Sequence, residues 1–271
     1  MNQRLLTSVG AVAIVTALAG PVAAADLSVK AVPRVAPAPV ALNWSGLYIG
    51  SHVGYGRATF TGGTFNTEEG SREIPLGDYH TKGLVVGTQA GYNWQLGPAL
   101  WGSSWLVGIE GDATITPGWQ ENRCIGKAGS FCDNRSITGQ LDWLASIRGR
   151  LGLAFDRTLI YATGGVAWAK NRQTACSDQT TCGFIKEVKT GGVVGGGIEW
   201  KYNPALSLRF EGLHYIFNES RTVLVDGCCE FATLGLRNVT VFRVGANWMF
   251  GPGDILPWGL GKGKSPVVAR Y

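Results

Sequence analysis

Ten charged residues stand out because most recur at a spacing of two within runs that otherwise alternate apolar and small residues. They are Glu110 and Asp112, Asp142 with Arg148 and Arg150, Glu199 and Lys201, Arg209 and Glu211, and Arg243. A spacing of two is the period of a β-strand, so each group falls on one face of an extended segment. Acids and bases are present in equal number. Three chemistries are open to such a set. Neighbouring carboxylates can act as a general acid and base. Charged rows can line a path for solutes. Opposite charges can also neutralise one another inside a narrow interior. An isolated buried charge costs several kcal/mol, so in a closed interior the ten must pair. The paired plug is therefore the first reading, a conducting or gated pore the second, and an acid–base pair the third.

Other reactive side chains offer less. Cys124 and Cys132, Cys176 and Cys182, and the adjacent Cys228 and Cys229 fall in three spacers between alternating runs. Pairing within the first two spacers is the simplest arrangement, though six cysteines leave the connectivity open. The Cys176–Cys182 spacing does not match a zinc knuckle, and no histidine is near. His80, in another spacer, is a candidate loop ligand for haem or metal. Solvation without a role is the commoner fate of a lone loop histidine. His52 lies in an alternating run and reads as a packed, hydrogen-bonded residue. His214 with Glu219 and Ser220 is the one local grouping suited to hydrolysis of a lipid. Gly195-Gly196-Gly197 is not a phosphate loop, because no Lys-Ser/Thr follows.

Eight segments could position these groups: Trp44 to Arg57, Gly83 to Gln95, Trp105 to Thr116, Gly139 to Phe155, Thr158 to Lys170, Lys189 to Tyr202, Ala205 to Phe217 and Asn238 to Phe250. The last is the clearest. Thr240, Phe242, Val244, Ala246, Trp248 and Phe250 share one face, while Arg243 and Asn247 lie on the other. In the fourth, Leu141, Trp143, Ala145 and Ile147 oppose Asp142, Ser146, Arg148 and Arg150. Long spacers follow the odd-numbered segments, and tight turns such as Asn203-Pro204 follow the even ones. Long connections at one end and short ones at the other are the arrangement of an outer-membrane barrel. Strands of about ten residues, tilted near 40°, cover its apolar band of roughly 25 Å. In hydrocarbon no sheet edge can be left unpaired, so the first and last strands must bond to each other.

Composition points the same way. Charged residues make up only 16% of the 271, below the roughly 25% usual in soluble domains. The formal charge of +5 is unclustered, which argues against nucleic acid as a partner. Arg4, the apolar run Val9 to Leu18 and Ala23-Ala24-Ala25 form a signal peptide over 1–25, too short to span a membrane. Residues 26–43, rich in Pro and Ala, read as a periplasmic linker. Residues 44–250 hold the barrel, and 251–271 read as a Gly/Pro-rich basic periplasmic tail.

Several stretches carry a family resemblance. Ala24-Ala25-Asp26-Leu27, the Pro/Ala linker, Trp44-Ser45-Gly46-Leu47-Tyr48-Ile49-Gly50, Tyr161-Ala162-Thr163-Gly164-Gly165, Gly195-Gly196-Gly197-Ile198-Glu199-Trp200 and Arg243-Val244-Gly245-Ala246-Asn247-Trp248 resemble the small outer-membrane β-barrel surface proteins of alphaproteobacteria, the porin-family or OmpA-barrel-like antigens. The resemblance implies structural, surface-antigen or envelope-integrity roles and no catalytic residues or cofactor. Some relatives bind haemin or act as weak porins. The chain departs from them in its loop cysteines and in continuing beyond Phe250, where such chains usually end on the aromatic that the assembly machinery reads.

The expected fold is thus all-β: an eight-stranded antiparallel up-and-down transmembrane β-barrel with long extracellular loops and short periplasmic turns, exported to the outer membrane. Expected partners are outer-membrane lipid and lipopolysaccharide, the barrel-assembly machinery, and peptidoglycan or a periplasmic partner at the tail. A small-solute channel, a loop-based haem binder and a lipid-A-modifying hydrolase are the alternatives to an envelope or surface role.

Overall fold

The structure is a computed structural model and describes residues 42–66, 72–124, 136–176, 182–217, 220–224 and 230–250. Ten strands are present: β1 (Gly46–Asn66), β2 (Arg72–Pro98), β3 (Ser104–Ile115), β4 (Gln120–Cys124), β5 (Ser136–Phe155), β6 (Thr158–Cys176), β7 (Cys182–Lys201), β8 (Leu206–Ile216), β9 (Ser220–Leu224) and β10 (Glu230–Met249). The short β4 pairs only with β5, and the short β9 only with β10, which leaves eight strands in the main path. That path runs β1-β2-β3-β5-β6-β7-β8-β10, and β10 returns to pair with β1 in antiparallel register from Tyr48↔Met249 to Asn66↔Glu230. The sheet closes on itself, so none of the eight has a free edge.

Alternation sorts side chains in and out. Ile49, Val53, Leu84, Val86, Ile147 and Leu151 project outward and are exposed. At the short-turn end the outward row finishes in Trp94, Trp105, Trp200, Tyr202 and Trp248, all exposed. Such an aromatic belt belongs at a membrane–water interface. Among the described residues no helix is long and apolar enough to span a membrane. The turns at this end are tight. Asp156 makes the β5–β6 turn with φ of 40°, a left-handed conformation that Asp tolerates.

Two expectations need correction. The first and third of the spacers expected as long loops are mostly strand: β1 continues to Asn66, β2 begins at Arg72, β6 reaches Cys176 and β7 starts at Cys182. Beyond the apolar band the outward row turns polar while the inward row stays apolar, as at Ala58, Phe60 and Tyr79, all buried. Inward packing therefore sustains the ladder where the outer face gives no hydrophobic signal. The second correction concerns β5. A bulge between Leu141 and Trp143 shifts its register against β6. A bulge adds one residue and reverses the phase of alternation. Leu141, expected outside, is buried, whereas Ser146, Arg148 and Arg150 keep their inward places.

Candidate functional site: a sealed charge layer

Eight of the ten charged residues meet at mid-height inside the ring. Glu110 and Asp112 come from β3, Arg148 and Arg150 from β5, Glu199 from β7, Arg209 and Glu211 from β8, and Arg243 from β10. Cross-strand register sets Glu110 opposite Arg148, Glu199 opposite Arg209 and Glu211 opposite Arg243. Their bonds also run across the lumen. Arg209 forks onto Glu110, Nη1 to Oε2 at 2.5 Å and Nη2 to Oε1 at 3.0 Å. Arg148 donates to Glu110 and lies 3.1 Å from Glu211 Oε1 and 3.0 Å from Asp112 Oδ1. Arg243 reaches Glu211 through Nε at 2.7 Å and Asp112 through Nη1 at 3.2 Å. Arg150 donates to Glu199 at 2.9 Å and stands over the Tyr161 ring at 4.0 Å.

Neutral groups complete the layer. Tyr48 donates to Glu110 at 2.6 Å, Tyr161 to Glu211 at 2.9 Å and Ser146 to Asp112 at 2.5 Å. Glu199 accepts from Ser207 at 2.5 Å and Asn247 at 2.8 Å. His52 lies beside Gln89 at 2.6 Å and Thr114 at 2.9 Å. Each oxygen of the four carboxylates thus accepts at least one hydrogen bond. Four guanidinium groups balance four carboxylates, so the layer is formally neutral, as buried charges must be. Room is made by glycines. A Cβ on Gly197 would lie 2.7 Å from the Tyr161 hydroxyl oxygen, and one on Gly91 would collide with that of Tyr48.

The remaining two charged residues are placed elsewhere. Asp142 sits at the β5 bulge, half-buried, and accepts from Gln140 at 2.9 Å; the phase reversal takes it out of the charge layer. Lys201 lies at the short-turn mouth, donating to the Asn43 carbonyl at 2.5 Å with its ammonium 4.7 Å from the Trp44 ring centre.

Apolar layers close the barrel on both sides of the charges. Towards the long-hairpin end, Phe60, Tyr79, Trp119, Ile137, Tyr215 and Phe217 belong to one buried cluster. Phe60 and Tyr79 stack at 5.3 Å. Towards the short-turn end, Trp44, Tyr48, Leu106, Leu159, Tyr161 and Met249 form a second. Trp44 precedes the first strand, yet it folds over the mouth. Its backbone N–H donates to Gln95 at 2.8 Å and its indole N–H to the Asp156 carbonyl at 3.1 Å. Alternation puts Ser146 and Asn247 on inward rows without marking them as carboxylate partners, and Tyr48 stands out in the sequence only within a family motif. Sequence reasoning missed the upper cluster because it ended the strands too early.

The cysteines are not all in loops. Cys176 and Cys182 are cross-strand partners at the ends of β6 and β7 and form a disulfide, S–S 2.06 Å. Cys124 ends β4, while Cys132, Cys228 and Cys229 lie outside the described residues. His80 is on β2 rather than in a loop; it is exposed, with Nδ1 3.2 Å from Thr59 Oγ1. Among the described residues no group of three His, Cys, Asp or Glu is placed to hold a metal. His214 Nδ1 lies 2.9 Å from Thr240 Oγ1. Ser220 opens β9, and Glu219 lies outside the described residues. So do residues 1–41 and 251–271, where the signal peptide, most of the linker and the tail were expected.

Comparison with known proteins gives a family match and several similar chains. Residues 12–250 match the family described as Outer membrane protein beta-barrel domain. The 31 kDa outer-membrane immunogenic protein of Brucella melitensis is 28% identical over 256 residues, covering 92% of this chain and 100% of that one. The 22 kDa outer membrane protein of Rhizobium leguminosarum is 29% identical over 178 residues, 65% of each chain. Among solved structures, the outer membrane protein OprG of Pseudomonas aeruginosa is similar over 76% of this chain and 96% of its own, at 10% identity and a TM-score of 0.46.

Proposed function

The chain belongs to the outer membrane protein beta-barrel domain family, and on that premise we propose that it is a non-conducting, non-enzymatic barrel that strengthens the envelope and presents its long hairpins as a contact surface outside the cell. One observation carries this reading: the interior is stacked as apolar layer, charge layer, apolar layer, with both apolar layers buried. A solute path needs a wetted lumen, and an eight-stranded ring is just wide enough for side chains to fill it. The saturated carboxylates speak against acid–base work, because a general base needs a lone pair facing its substrate. Low surface charge, the outward apolar band and the aromatic belt suit permanent residence in the bilayer.

Liposome swelling tests the proposal. Vesicles carrying the refolded barrel are expected to exclude small sugars as protein-free vesicles do. Entry that scales with the amount of folded protein would overturn it in favour of a small-solute channel.

A further inference from the structure

Inside the barrel every cation of the charge layer meets a carboxylate. Outside, the pattern inverts. Arg57 of β1 stands directly opposite Lys82 of β2, and Arg172 of β6 directly opposite Lys186 of β7. All four are exposed. Cross-strand neighbours have Cβ atoms about 5 Å apart, and like charges so placed repel. None of the four has an ion-pair partner among the described residues. The nearest acid above Lys82 on its strand, Asp78, is 3.0 Å from Arg237.

Their setting is specific. On the outward row Tyr55 and Leu84 form the pair directly below Arg57 and Lys82, followed by Val53 and Val86; all four are exposed to the lipid side. At the second pair Phe184 lies above Lys186, towards the hairpin tip, while Lys170 and Val188 form the pair directly below, followed by Trp168 and Thr190; Phe184 and Val188 are 70% and 54% exposed. The first pair therefore crowns an apolar surface on the long-hairpin side of the band, and the second, joined by Lys170, stands above Val188, Trp168 and Val166. A ligand matching this has acyl chains continuous with a doubly charged anionic head. A phosphomonoester accepts hydrogen bonds from two cations at once and relieves their repulsion.

We propose that Arg57–Lys82 and Arg172–Lys186 are two binding sites for the phosphate groups of a lipid headgroup in the leaflet facing the long hairpins. The sites rest on the reading of the chain as a membrane barrel. They give that barrel a fixed lipid collar: each pair clamps one phosphate while the aliphatic and aromatic residues beneath pack on its acyl chains. Occupied sites oppose fraying of the β1–β2 and β6–β7 hairpins, whose cross-strand repulsion is then cancelled.

The test uses the full mature chain refolded in neutral detergent, with the temperature at which the compact gel band is lost as readout. Three additives are compared: lipid A bearing two phosphates, the same lipid with one phosphate removed, and inorganic phosphate. Diphosphorylated lipid A is expected to raise the transition most. The R57S/K82S variant should lose about half of that rise, and adding R172S/K186S the rest, because distant sites act additively. A rise that is unchanged in the fourfold variant overturns the proposal, as does an equal rise with inorganic phosphate. A variant that does not fold is bypassed by salt titration of the wild type: a charge-borne rise falls as salt increases, whereas a rise that salt leaves intact counts against the sites. Failure of the barrel reading is distinguishable, because it would remove the compact band without any lipid present.

Discussion

Arg209 of β8 grips Glu110 of β3 with both Nη atoms, at 2.5 and 3.0 Å, from strands that lie four places apart in a ring of eight. The contact spans the full width of the barrel. It ties two walls together and leaves no straight path between them. Arg209→Met should leave Glu110 and Glu211 buried with fewer donors and cost about 3–5 kcal/mol. Urea unfolding of the refolded barrel measures this. In the cycle with Glu110→Leu, the double variant should recover part of the loss, since the pair is removed together.

Trp44 closes the short-turn mouth from a position outside the strands. Trp44→Ala removes a fully buried side chain and its bond to the Asp156 carbonyl, and should cost about 3–5 kcal/mol. Conductance should remain absent, because the charge layer still blocks the lumen. Urea unfolding and planar-bilayer recording on the same variant separate the two effects.

Gly197 leaves the space that the Tyr161 hydroxyl occupies. Gly197→Val should displace that phenol from Glu211 and destabilise the barrel by about 1–3 kcal/mol through overpacking. Gly97, with open space around its Cβ direction, is the control: Gly97→Ala is expected to be neutral in the same unfolding assay.

The Cys176–Cys182 disulfide closes a sequence separation of only 6 residues between strands already paired. The C176S/C182S variant should lose about 2 kcal/mol, the loop-closure value for so short a loop. The compact band on gels should survive, and reduction of the wild type should lower the midpoint at least as far as the double serine replacement does.

Much of the fold was legible from period-two alternation. In β1, β2, β3 and β10 the outward residues, such as Val53, Leu84, Ile109 and Phe242, stand where the pattern assigns them. Alternation could not reveal the extra residue at Leu141–Trp143, because a bulge reverses phase without a composition cue. That is why alternation alone groups Asp142 with Arg148. Strand length escapes the pattern for a different reason. Arg57, Thr59 and Thr61 lack the apolar outward signature, and only the inward Ala58 and Phe60 report that pairing continues. The alternating run opens at Trp44, but alternation cannot show that this residue folds over the mouth ahead of β1, which begins at Gly46. The place of Trp44 is set by contacts far along the chain, at Gln95, Asp156 and Lys201.

Closure of the ring is the claim on which the others depend, and Val53 and Val244 test it at the seam. They face each other across β1 and β10, and both are exposed on the outer surface. In the V53C/V244C variant, mild oxidation of the folded protein followed by peptide mapping should recover the two segments linked through these cysteines. The V53C/F210C variant, whose second site lies on β8 beyond β10 in strand order, should give no such link. Absence of the Val53–Val244 link in the compact, folded band would contradict a closed barrel.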